Sequence, residues 1–140
     1  MCLGYLGHPN PTGEQLEDEL YQYCENHSLN REAPTDLATL IQRYGYADDL
    51  QMNGHWKDIK PWLNKGNPVI VHGDFTARGH IVVIIGYNAR GWIVNDPYGE
   101  WFSDGYDTNA SGAGLTYSYG MMERICHPSG DLWVHYVYKP

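Results

Sequence analysis

Positive charge is scarce in this chain: nine Lys and Arg stand against seventeen Asp and Glu in 140 residues, a formal net charge of −8. No stretch concentrates basic residues, so the electrostatic footprint that nucleic acid or an anionic membrane surface needs is missing, and neither is expected as a partner. Cysteine is scarce as well. Cys2, Cys24 and Cys126 are odd in number and widely spaced, which fits neither a disulfide framework nor a zinc site of paired ligands, and a reducing, cytoplasmic setting is the simpler expectation. No run of about eighteen apolar residues occurs, so no membrane span is expected, and no charged-then-apolar opening resembles a signal peptide.

What is present is globular composition. Apolar residues make up 42% and charged residues 19%, far from the signature of a disordered chain, and 140 residues suit one domain, 1–140, with a core of its own. Twelve Tyr and five Trp against two Phe favour rings with a polar tip, which serve a wet binding groove or simple interior packing equally well.

Helical spacing dominates the first half. Pro11 to Asn26 reads as a helix with Thr12 as N-cap, Gln15 as its reciprocal partner, and Leu16, Leu20, Tyr23 and Cys24 on one face. Pro34 to Tyr44 repeats the pattern with Leu37, Leu40, Ile41 and Tyr44, and Gly45 suits the left-handed residue beyond its end. A shorter helix, His55 to Lys65, aligns Trp56, Ile59 and Leu63, with Pro61 allowing an irregular start. After Gly66 the signals become those of strands: Asn67 to His72, Gly79 to Tyr87, Trp92 to Asn95 and Leu132 to Tyr138. Gly79 to Tyr87 is apolar on both faces and is expected at the centre of the sheet. Helices first and an antiparallel sheet later predict an α+β fold. Tyr98 to Gly120, rich in Gly, Ser, Asp and Asn, reads as one long loop, a length that in compact domains often carries function.

The chemistry concentrates in the stretch Gly79-His80-Ile81-Val82-Val83-Ile84-Ile85-Gly86-Tyr87 and the Trp92-Ile93-Val94-Asn95-Asp96-Pro97-Tyr98-Gly99 that follows. If Asn88 to Gly91 is a four-residue turn, the two strands are antiparallel neighbours, and the start of one lies beside the end of the other. His80 and Asp96 then meet. A carboxylate bonded to an imidazole sets its tautomer and supports its charged form, the base-and-orienter half of a nucleophilic triad; a His–Asp pair that only satisfies two polar groups at a sheet edge is the competing account. Metal binding by His72, Asp74, His80 and Asp96 is the other chemical possibility, but no spacing demands it, and no metal or cofactor is expected. Asp104 to Asn109 lacks the spacing and closing Glu of a calcium loop, and a side-chain-stabilised turn accounts for it better.

GHIVVIIGY followed by VNDPYGEW, preceded by GNPVIVH, resembles the bacteriocin-processing branch of the papain-like cysteine peptidases, which cleaves after double-glycine leaders, and its stand-alone relatives. The likeness runs from about Gly4 to Trp101. It implies a papain-like arrangement of N-terminal helices packed on an antiparallel sheet, His80 as general base and Asp96 as its orienting acid. It further implies a nucleophilic Cys at the N-terminus of a helix crossing the sheet, with an oxyanion-hole Gln just upstream. Here Met1-Cys2-Leu3-Gly4-Tyr5-Leu6-Gly7 matches the last turns of that helix, so the nucleophile position falls before Met1, and no Gln precedes Gln15. Cys2 would need a helix beginning at residue 1 to be activated, and Gly4 and Gly7 leave little helix after it. Cys126, in Cys126-His127-Pro128, reads as part of a late loop.

Three functions follow as expectations. The first is a cysteine peptidase or amidase acting on a peptide, protein or cell-wall-type peptide substrate. The second is a relative that binds a peptide or partner protein without cleaving it. The third is an assembly protein, a homo-oligomer for instance, in which the face of a missing helix is covered by another copy, because several large side chains at about 1.5 to 3 kcal/mol each rival the net stability of a domain.

Overall fold

Strands β2 (Val69–Gly73) and β3 (His80–Tyr87) occupy the middle of a six-stranded sheet in a computed structural model of the chain, which describes residues 2–6, 16–30, 33–76, 79–126 and 131–140. Both strands bury apolar side chains on their two faces, the reason a period-two alternation is absent from VIV and IVVII. β4 (Gly91–Asn95) and the edge strand β7 (Leu115–Ser118) lie beyond β3, while β8 (Leu132–Tyr138) and the edge strand β1 (Ala47–Gly54) lie beyond β2. Every ladder is antiparallel. A separate two-stranded hairpin joins β5 (Glu100–Phe102) to β6 (Gly105–Asp107).

The sheet separates two apolar clusters. On one face Ile70, Val83 and Val137 pack against Cys2 and Leu3 of α1 (Cys2–Tyr5), Cys24 of α2 (Leu16–Asn26), and Leu37, Leu40 and Ile41 of α3 (Pro34–Arg43). On the other face Val69, Val71, Val82, Ile84, Val94 and Val134 meet Ile59 and Leu63 of α4 (Ile59–Leu63) and Met122 and Cys126 of α5 (Tyr119–Cys126). The molecule is therefore a mixed α/β fold with an antiparallel sheet and helices on both sides: α1, α2 and α3 precede every strand, as expected, but the later helices are interleaved with the strands. β1 precedes α4, and α5 falls between β7 and β8.

Local signals explain these elements. α3 opens on Pro34, carries Asp36 in its first turn and Arg43 in its last, which agrees with the helix dipole. Gly45 follows it at φ +87°, a conformation natural for Gly and costly for other residues. α2 begins at Leu16 in the described residues; Thr12 and Gln15, expected as its cap, lie outside them, as does the side chain of Leu16. Its Cys24 is buried as core. The expected helix from His55 is a 3-10 turn, Trp56–Asp58, running into α4, with Pro61 in the first turn, where no intrahelical N–H is needed.

Two expectations are corrected. Tyr98 to Gly120 is not one loop, because it contains the β5–β6 hairpin and β7, whose strands of three or four residues are too short to show a period. Cys126 does not lie in a loop. It ends α5, whose Met122 and Cys126 keep helical spacing, and Ser118 Oγ accepts the N–H of Met121 at 3.2 Å near the helix start. Among the described residues no helix is long and apolar enough to cross a membrane.

Candidate active site

The turn after β3 brings the site together. Asn88 N–H donates to Gly91 O at 2.9 Å, and Asn88 Oδ1 accepts the N–H groups of Arg90 and Gly91 at 2.8 and 3.2 Å, so β4 returns beside β3 in the register Val83 to Asn95. Alternation along the strands places His80 with Val82 and Ile84, and Asp96 with Val94, on the α5 side of the sheet. There the imidazole reaches diagonally across the ladder, and His80 Nε2 lies 2.9 Å from Asp96 Oδ1. Their side chains are 7% and 0% exposed.

Asp96 receives three more hydrogen bonds. The N–H of Tyr98 donates to Oδ1 at 3.1 Å, and the hydroxyls of Tyr106 and Tyr117 both donate to Oδ2 at 2.8 Å. Burial drives the carboxyl pKa upward, but the bonds from His80, Tyr117, Tyr98 and Tyr106 outweigh it and hold the group below its ordinary value. Burial and the adjacent carboxylate push both phenols far up, so they remain donors. An ionised carboxylate only accepts, which assigns the proton between His80 and Asp96 to Nε2. Nδ1 takes no hydrogen bond among the described residues.

Aromatic rings enclose the imidazole. Tyr98 stacks on it with centroids 4.1 Å apart and planes at 19°, while Tyr106 and Phe75 meet it edgewise at 5.8 and 6.1 Å. Trp101 is held beside Phe75 by its Nε1–H bond to Phe75 O at 2.8 Å. Next to this group lies an open cleft of about 530 Å³ lined by Asp74, Phe75, Thr76, Trp101, Ser103 and Gly105. Of this constellation only His80 and Asp96 were expected as individual residues, the aromatic segment from Tyr98 to Tyr119 being expected only as a wall of a cleft. The tyrosines sit in short loops and strands where no periodicity marks them.

The model of the Peptidase_C39 like family matches residues 1–126. The chain belongs to this family. That makes it a cysteine peptidase-like domain, and the match takes in β3, the turn and β4, with β8 lying beyond it. No curated protein and no solved structure matches the chain.

Membership in a cysteine peptidase-like family directs attention to the thiols. Cys2, Cys24 and Cys126 are all buried. Burial pushes Cys2 up to about 12, with the nearby N-terminus acting against the rise and Asp48 adding to it. Cys126 is raised further, by burial and then by Asp74, and it ends a helix, where the dipole disfavours a thiolate. Its sulfur does lie close to the dyad's strand, since a β-carbon built on Gly73, the ladder partner of His80, would stand 2.9 Å from Cys126 Sγ. Neither Cys2 nor Cys126 has the environment of an activated nucleophile.

The four residues weighed as metal ligands do not converge. His72 points to the opposite face from His80, where its Nε2 lies 2.8 Å from His135 Nε2, and His135 Nδ1 lies 2.7 Å from Asp48 Oδ2. Asp74 is exposed just past β2. Among the described residues no group of three or more His, Cys, Asp or Glu could hold a metal ion. His135 is fully buried in this second chain of polar groups.

Proposed function

We propose that the domain is a cysteine peptidase or amidase acting on a peptide or cell-wall-type peptide, with His80 as general base and Asp96 orienting it. The observation that carries this reading is the His80–Asp96 bond at 2.9 Å, made through Nε2, in a chain of cysteine peptidase-like family. With Nε2–H committed to the carboxylate, Nδ1 is the nitrogen left to take a thiol proton. The thiolate then attacks the substrate carbonyl, the imidazolium returns its proton to the leaving amine, and water completes hydrolysis of the thioester. Asp96 stays ionised throughout and stabilises the imidazolium. The thiolate would come from chain preceding Met1, where the family likeness puts it. The cleft beside Phe75 and Trp101 would accept the substrate.

One observation favours a second reading, a relative that binds a peptide without cleaving it: every cysteine of this chain is buried. Alkylation of the protein purified from its native source separates the two. A peptidase shows one thiol, other than Cys2, Cys24 and Cys126, reacting with iodoacetamide far faster than these at neutral pH, and His80→Ala slows it. Uniformly slow thiols that His80→Ala leaves unchanged would make binding the function.

A further inference from the structure

A carboxylate with two oxygens and free rotation about its last bond does not by itself present one oxygen to a histidine. At Asp96 the rotation is stopped. Oδ2 is taken by two hydroxyls from two different elements, Tyr106 on β6 and Tyr117 on β7, each at 2.8 Å. Oδ1 is left for His80 and for the Tyr98 N–H. The Tyr117 hydroxyl also accepts the N–H of Trp101 at 3.0 Å, which aims its own proton at Asp96. Tyr106 belongs to the hairpin that also contributes Trp101 and Gly105, both of which line the cleft.

We propose that Tyr106 and Tyr117 are positioning residues of the dyad, a two-phenol clamp that turns the Asp96 carboxylate so that Oδ1 faces His80 and thereby holds the imidazole in the tautomer with Nδ1 free. The proposal rests on the peptidase reading for its purpose and on the hydrogen bonds for its geometry. A dry carboxylate fully engaged in charge-assisted bonds is the arrangement in which such donors have most effect. Two phenols in place of water also let the acid stay ionised without solvent next to the imidazole.

Tyr106→Phe is the informative variant, because among the described residues its hydroxyl serves Asp96 alone. Tyr117→Phe removes the Trp101 contact too and serves as the second variant. Both keep the ring, and a urea melt establishes that each folds. The readout is NMR of the full chain: the carbon titration of the Asp96 carboxyl and the nitrogen and proton signals of the His80 ring. In the parent, a deshielded proton on Nε2 and an unprotonated Nδ1 are expected. In Tyr106→Phe the carboxyl midpoint moves up toward the ordinary carboxylate range, the Nε2 proton signal weakens, and His80 becomes a mixture of tautomers. The double variant goes further in the same direction. Folded single and double variants with unchanged signals would overturn the clamp while leaving the peptidase reading intact. Failure of the alkylation experiment would remove the reaction without altering these spectra, so the two failures are distinguishable.

Discussion

Asp96 is held from behind as well as in front. Its N–H donates to Gly112 O at 2.7 Å, and a β-carbon on Gly112 would overlap the Asp96 carbonyl oxygen. Backbone cannot yield as a side-chain tip does, so Gly112→Ala should cost about 2 to 3 kcal/mol of stability and displace the dyad. Gly45→Ala is the comparison: it has open space around it and only a left-handed backbone to oppose it, so about 1 kcal/mol is expected. Urea midpoints of the two variants check the order, and equal losses would show that the Gly112 contact is not a constraint. At this scale the legible residues were those with a neighbour in register. His80 and Asp96 could be paired on paper because a short turn joins two apolar strands. Gly112, Tyr106 and Tyr117 could not, since each reaches Asp96 from a separate segment whose place in space depends on the rest of the fold.

Among the elements, α5 shows what a docked helix needs. Ser118 accepts the Met121 N–H at its start, whereas Met122 is fully buried between the sheet and its neighbours. Loss of a capping hydroxyl costs about 1 kcal/mol, and truncation of a buried Met to Ala about 2 to 5 kcal/mol. Met122→Ala should therefore destabilise the domain clearly more than Ser118→Ala in denaturant melts; the reverse order would mean that α5 is held by its end and not by its buried side. Its MMERIC spacing was readable, but Gly120 near the start masked it. β1 was not readable at all. ADDLQMNG shows no alternation and two acidic residues, as an edge strand does when its ladder to β8 lies on one side only. By contrast the central strands, α3 and β8 announced themselves, because each buries enough apolar surface to leave its period in the sequence.

The whole molecule carries two His–carboxylate systems on opposite faces of one sheet, and two shifted groups, His72 beside one and Asp96 within the other, respond to acid in different windows. On the α1 face, burial and then neighbouring His135 push His72 down to about 4, while an unfolded His titrates near 6.5. Between these values the unfolded chain binds a proton that the folded chain does not, so stability rises with pH there. The contribution is complete above pH 6.5, declines as pH falls toward 4, and then levels off, amounting to roughly 3 kcal/mol at most. Asp96 acts in a lower window. Its folded value lies below the ordinary carboxylate value of 3.8, so its contribution is whole above the unfolded pKa and is lost as pH falls through the folded one. Two successive losses are expected in urea melts taken from pH 8 to pH 3. His72→Gln can still donate an amide N–H toward His135 but has no titrating ring, so it should abolish the decline between pH 6.5 and 4 and keep the one below it. Persistence of the upper decline in His72→Gln would show that His72 is not its source.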